Sequence, residues 1–310
     1  MFFKAALFFQ IHCPADEVTK ALRKAIPDNT FTPCEKMQAH SIGFIHPFQE
    51  DQLFYEQAGA FLFRLKIQTR PIPASTIAEM LEEKVKELED SQGRKVYRKE
   101  RITLKDEIVL ELLPDAIPVS KYLMAYVDTK LNLIVFNTGS NAQAEKAMAF
   151  IREAIGSFRV QIPTVNHSPP LTMTKWLRGK PPKAFTVRSS CRLADPVDNG
   201  AVVTIKHDDL HSEAIQALLD EGKLVESLDL YWGQGRDKEQ VGFTVTQAHI
   251  LKGIYFSDKL LNQDDEEDEL ARSEADLALM ADTFQGLITA LGKGFGGFLE
   301  QEHMDFTGKE

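Results

Sequence analysis

At Pro71 the apolar pattern of this chain changes character, and that change limits the folds open to it. Before it, Phe31–Cys34, Ile42–Ile45 and Ala60–Ile67 are short apolar runs separated by turn residues, the pattern expected of strands. Pro71 and Pro73 end the last of them, because proline cannot donate to a strand ladder. Thr76 with Glu79 then offers a capping box, and Ile77, Met80, Leu81, Lys84, Val85 and Leu88 recur at helical spacing up to Gly93. A second helix is expected from about Thr103 to Leu113, stopped by Pro114. Strands resume at Tyr122–Val127 and Leu131–Phe136, so residues 74–118 read as a projecting helical hairpin inserted between strands. An α+β class with antiparallel-sheet domains accommodates both patterns.

The flanks extend this reading. Phe2–Ile11 is apolar, but Lys4 and Gln10 interrupt it and no small residues precede Cys13, so it reads as a buried first strand rather than a signal peptide. Helices are expected over Asp16–Ile26 and after Ser140, where Ala144, Ala147, Met148, Ile151 and Ile155 share a face. Pro163–Lys183, rich in proline and lysine, reads as a linker. A second half follows with a strand at Ala201–Ile205, a helix at Asp209–Glu221 and a strand at Leu224–Trp232. A turn at Gly233–Asp237 and a strand at Val241–Thr246 come next. The domains are therefore expected at 1–165, which holds the insert, and 166–310, which ends in an acidic helical segment. In that segment Leu277, Met280, Phe284, Leu287 and Leu291 form a stripe suited to core packing or to a short oligomerisation seam.

The net charge of -10 over 310 residues argues at first against a phosphate-rich partner. Its distribution argues otherwise. Residues 258–310 carry 14 acids against Lys259, Arg272, Lys293 and Lys309, which accounts for the whole excess and leaves residues 1–257 neutral. Within that neutral body two stretches are basic. Arg94, Lys95, Arg98, Lys99, Arg101 and Lys105 stand against Glu100 alone, and Lys175, Arg178, Lys180, Lys183, Arg188 and Arg192 stand against no acid at all. Such runs serve as solvated faces or as sites for an anionic partner. Tyr97 and Ile117 add apolar surface near the first run.

Catalytic constellations are weak by comparison. His12, Cys13, Cys34, His40 and His46 fit no common zinc spacing, and His207 with His211 need not share a helix face. Asp115 with Glu221 and Lys223 resembles the two carboxylates and lysine of a metal-dependent nuclease, yet more than 100 residues separate the parts. Gly292–Gly297 lacks phosphate-loop spacing. No metal and no cofactor is expected. Three cysteines cannot close a disulfide framework, and no segment is long and apolar enough for a membrane span, so a cytoplasmic protein with reduced thiols is expected.

Taken in order, these segments resemble the bacterial recombination-associated RdgC family over nearly the whole chain. The resemblance rests on the first strand with Phe31-Thr-Pro-Cys34, on Arg94-Lys95 running into Leu104-Lys-Asp-Glu107, and on Leu112-Leu-Pro114. It continues through Asp128-Thr129, Leu171-Thr-Met-Thr-Lys-Trp176, Lys206 with Asp209-Leu210 and Ser212-Glu213, Phe256-Ser-Asp-Lys-Leu260 and the acidic C-terminus. What it implies is a nucleoid-associated, non-enzymatic homodimer closed into a ring, with double-stranded DNA passing without sequence preference through a cationic hole. It also implies antagonism of RecA by occupancy of the DNA. Arg70, Arg94, Lys95, Arg98, Arg101, Lys105 and Lys206 match basic family positions and become DNA-binding candidates. Lys66, Lys99, Lys121, Lys175 and Arg178 join them on local charge alone.

The chain also departs from the family pattern. Asp115 and Ile117 stand where relatives can carry Arg and Phe, and His207 and Asp208 stand where Lys and Gln can appear. All four are dimer-interface candidates on this resemblance. Ser273-Glu-Ala-Asp276 replaces a commonly aromatic stretch. The competing expectations are a recombinase-binding protein with little DNA contact and the metal-dependent nuclease.

Overall fold

The computed structural model describes residues 2–48, 52–197, 200–233, 240–261 and 269–299. In chain order the elements are β1 (Ala5–Ile11), α1 (Ala15–Ala25), β2 (His40–Ile45), β3 (Phe54–Gln57), β4 (Ala60–Thr69), α2 (Ala74–Gln92) and α3 (Arg98–Leu112). Then come β5 (Val119–Asp128), β6 (Leu133–Phe136), α4 (Asn141–Ile155), β7 (Val160–Gln161), α5 (Pro169–Leu177), β8 (Phe185–Ala194) and β9 (Val202–Ile205). The remainder is α6 (Glu213–Asp220), β10 (Leu224–Trp232), β11 (Val241–Thr246), β12 (Leu251–Phe256), α7 (Asp258–Leu261) and α8 (Glu269–Gly294). This is an α+β fold with an extensive antiparallel sheet. The expected turn at Gly233–Asp237 falls mostly outside the described residues.

The chain forms two compact units, one of Met1–Ile26, His46–Phe63 and Met124–Glu310, the other of Pro27–Ile45 and Arg64–Leu123. In the larger unit β1 is the central strand. Its first residues pair with β12 (Ala5 with Lys252, Ala6 with Leu251), and the next pair with β6 (Leu7 with Phe136 through Gln10 with Leu133). β12 pairs with β11, β11 with β10, β10 with β8 and β8 with β9, each pairing antiparallel. The apolar sequence of β1 follows from this position, with Ala6, Leu7, Phe8, Phe9 and Ile11 all buried. Burying such a side chain contributes on the order of 1.5–3 kcal/mol, and an interior strand buries both faces.

Helices cover this core. Trp176 of α5 stacks between Phe185 at 5.5 Å and Phe295 at 5.0 Å, while α8 buries Leu277, Met280, Phe284, Leu287 and Leu291. The α8 stripe is thus core packing within the chain, not an exposed seam. Pro163–Lys183 is likewise more than a linker. Pro169 and Pro170 occupy the first turn of α5, where their missing N–H groups cost nothing, and Met173, Trp176 and Leu177 are buried.

The smaller unit pairs β2 with the second part of β4, in a register that sets Gly43 opposite Lys66 and Ile45 opposite Arg64. Phe31–Cys34 is not a strand. It crosses over β2, held by Phe31 N–H donating to Phe44 O (2.9 Å) and Ser41 Oγ donating to Thr32 O (2.5 Å). Gly43 permits this crossing, since a Cβ there would overlap the Phe31 backbone. α2 and α3 pack together, each burying one side chain fully (Val85 and Ile108), with Lys84 Nζ 2.6 Å from the Glu111 carboxylate. The capping box expected at Thr76 and Glu79 does not form. The helix starts three residues earlier, after Pro73, whose fixed φ already suits a helix entry. Gly93 ends α2 in the left-handed conformation (φ 63°). α3 begins at Arg98 rather than Thr103, so much of the basic run is helical.

Candidate nucleic-acid interface

The smaller unit carries two cationic surfaces. On α3, Arg98, Arg101 and Lys105 fall within one arc of the helix and are exposed, with Lys99 beside them. Among the described residues none of these four makes an ion pair, and the same holds for the exposed Lys95 and Lys121. Arg94 differs. Its guanidinium grips the Glu100 carboxylate through two hydrogen bonds (2.7 and 3.0 Å), and Glu100 also accepts the Tyr97 N–H (2.9 Å). The bonds from Arg94, then that from Tyr97, hold the Glu100 carboxyl down at about 2. Arg70 is engaged as well, donating to the carbonyls of Ala116 (2.5 Å) and Cys34 (3.4 Å).

The second surface lies on β4 and β5. Arg64 and Lys66 alternate with buried Leu65 and Ile67, so both cations leave the same face of β4. Arg64 sits 4.8 Å from the ring centroid of Tyr122, which is 53% exposed. Lys66 sits 4.4 Å over Phe31 and 5.9 Å from Tyr122. The Phe31 platform is fixed because Gln68 Oε1 accepts the Cys34 N–H (2.8 Å), while Gln68 Nε2 donates to Ser120 Oγ (3.2 Å). Cations restrained over ring faces retain their charge for an anion while the open tyrosine face is available for stacking. Sequence reasoning noted Lys66 but missed Arg64, Tyr122 and the role of Phe31. The Arg-Leu-Lys-Ile alternation at 64–67 was the available signal.

Asp115 and Ile117 also belong to the smaller unit. Ile117 is 80% exposed and lines, with Pro71, Ile72, Leu112 and Val119, a largely apolar concavity of about 510 Å³. The larger unit holds the other candidates. Lys175 and Lys206 are exposed, whereas Arg178 is paired with Asp220 at 2.9 Å. His207 (φ 56°) and Asp208 stand after β9, with the Asp208 N–H donating to Ser189 O (3.0 Å). Arg188, from the second basic stretch, lies 4.4 Å over Tyr231 and 5.2 Å over Tyr255 and pairs with Asp229 at 3.0 Å. Burial pushes the Asp229 carboxyl up, against the pull of Arg188.

Elements of catalysis are sparser. Among the described residues no group of three or more His, Cys, Asp or Glu side chains could hold a metal. Asp115 falls in one unit and Glu221 with Lys223 in the other, where Lys223 Nζ pairs with Glu221 at 3.1 Å. Cys13, Cys34 and Cys191 are buried free thiols, and burial pushes Cys191 up to about 11. No described helix is long and apolar enough to cross a membrane.

Fold and surface define an α+β protein with an extensive antiparallel sheet, exposed cations on a helix, and cations braced by aromatic rings on strands. Within that class the chain belongs to the RdgC family. The family model described as "Putative exonuclease, RdgC" matches residues 1–298. The chain is 34% identical over 304 residues to the recombination-associated protein RdgC of Pseudomonas aeruginosa PAO1, covering 96% of this chain and 98% of the relative. It is 30% identical over 303 residues to that of Tolumonas auensis (96% and 99% covered) and 32% identical over 304 residues to that of Shewanella piezotolerans (96% and 98% covered).

Proposed function

We propose that this chain is a non-enzymatic, recombination-associated protein that binds duplex DNA without sequence preference, encircles it as a homodimer and restrains RecA-mediated strand exchange by occupying the DNA. The observation that carries the reading is the set of exposed cations without ion pairs on α3, Arg98, Lys99, Arg101 and Lys105. Phosphate contacts need only correctly displayed Lys and Arg, and they read no sequence. Arg64 and Lys66 extend the cationic set along a strand, while Lys95, Lys121, Lys175 and Lys206 supply further exposed charges. In this reading α2 and α3 form a projecting hairpin. The apolar concavity around Ile117, at the foot of that hairpin, is the surface on which two copies meet. The relatives' shared name supports the link to recombination.

Solution mass measured alongside binding to linear and nicked-circular duplex of equal length tests this reading. The expected results are a dimer, affinity that falls steeply with salt on any sequence, and complexes on circles that outlast those on linear DNA at raised salt. A monomer that leaves both forms at the same rate overturns the ring. Duplex incubated with magnesium or manganese should stay intact, and RecA strand exchange should slow in proportion to DNA coverage. Cleavage abolished by Asp115→Ala would establish the nuclease instead.

A further inference from the structure

The larger unit contains a concavity of about 710 Å³ at the end of β10, bounded by α8, by Leu131 after β5 and by the approach to β8. Its lining combines apolar residues, among them Leu131, Trp232 and Ala290, with Lys183 and Lys293. No carboxylate stands among the described residues that line it. Of the neighbouring acids, Asp282 is exposed one helical turn before Gly286 on α8, while Asp128 is 1% exposed and already satisfied. Its Oδ1 accepts the N–H groups of Lys130 and Leu131 (2.9 Å each), and its Oδ2 accepts Gln285 Nε2 (3.0 Å). Gln285 in turn accepts a third ammonium, Lys130 Nζ, at 3.3 Å. One donor at this site is unsatisfied. Trp232 is 2% exposed, and its Nε1 is buried without a hydrogen-bond partner among the described residues.

We infer that this concavity is a docking site for a short acidic peptide segment of another protein, anchored by an apolar side chain. Charge complementarity selects the occupant: two lining lysines, with a third beside them, outnumber the exposed Asp282, and no carboxylate stands among the described residues of the lining. The apolar lining takes the anchor. A volume of this size admits a few side chains rather than a duplex, whose phosphates run along an outer surface. This site involves none of the α3 cations and stands independently of DNA binding.

The probe is acetyl-Asp-Asp-Leu-Asp-Leu-Phe, titrated into the full chain carrying Trp176→Phe, so that Trp232 is the sole tryptophan. Calorimetry on the unsubstituted chain covers the case in which Trp176→Phe fails to fold. The expected result is a saturable change in Trp232 emission. Exchanging Asp for Asn in the peptide, or combining Lys183→Gln with Lys293→Gln, should weaken binding by about tenfold or more. No saturable binding by either method overturns the proposal, as does binding that ignores both changes. Equal displacement by a single-stranded oligonucleotide would make the site a nucleic-acid contact and overturn it too.

Discussion

Glu100 in the first turn of α3 holds Arg94 by two hydrogen bonds, the shorter 2.7 Å, so one of the cations expected to meet phosphate is neutralised within the chain. Because Glu100 titrates at about 2, acid does not release Arg94 in any range where a duplex survives. Substitution does. Glu100→Gln keeps an acceptor for the Tyr97 N–H but removes the competing charge, and duplex affinity at moderate salt should rise about two- to tenfold. The log–log salt slope should steepen by roughly one unit. A titration at four or five salt concentrations reads both, and an unchanged slope would mean Arg94 does not face the DNA.

Neutralising the α3 cations should act in the opposite direction. Arg98→Gln, Arg101→Gln and Lys105→Gln together remove about three phosphate contacts, flattening the salt slope by roughly 2–3 units and weakening binding on the order of a hundredfold near physiological salt. Thermal stability should change little, because exposed side chains without partners contribute little to it. Fluorescence anisotropy paired with a melting curve separates lost contact from lost fold.

Arg70 is expected to behave as an anchor of the fold. Its guanidinium joins the Ala116 and Cys34 carbonyls, tying the segment before β5 to the segment crossing β2. Charged donors to carbonyls contribute about 1.5–3 kcal/mol each, so Arg70→Met should destabilise the chain by roughly 2–4 kcal/mol in a denaturant titration. Any change in DNA affinity should disappear when the comparison is made on the folded fraction. A variant of full stability with reduced affinity would place Arg70 at the phosphates.

These contrasts mark what the sequence could reveal. Periodicity and charge runs are local, so the α8 stripe, the strands at Leu224–Trp232 and Val241–Thr246, and the cationic composition around α3 were legible. Pairing is not local. Nothing at Arg70 or Arg94 announces that one holds two carbonyls and the other a carboxylate, while Lys66 and Arg64 remain available above aromatic rings. The Phe31–Cys34 run has strand composition, but its path is set by Gly43 below it and by Gln68, whose side chain accepts the Cys34 N–H. α5 was obscured for a related reason. Pro169 and Pro170 read as breakers unless Trp176 is known to stack on Phe185 and Phe295.

Ile117 gives the proposed dimer its sharpest test. At 80% exposure beside an apolar concavity, it contributes little to the folded monomer and much to any surface that covers it. Ile117→Asp should leave unfolding within about 0.5 kcal/mol of the unsubstituted chain while halving the mass seen by sedimentation at micromolar concentration. A dimer that survives the change would move the interface elsewhere.

His249 makes stability depend on pH in a direction that follows from its burial. It is 8% exposed, lies edge-on to Phe295 at 5.5 Å, and is held by burial below its ordinary value of 6.5. The unfolded chain therefore takes up a proton near 6.5 that the folded chain binds more weakly. Its contribution is fully present above that pH and is lost as pH falls through and below it. For one such group the slope is at most about 1.4 kcal/mol per pH unit. His249→Asn tolerates the positive φ of 57° and cannot titrate, so it should remove this part of the slope between pH 6.5 and 5. Denaturant midpoints measured at half-unit pH steps for both chains give the difference directly. Parallel curves would mean the imidazole is protonated as readily in the fold as in water.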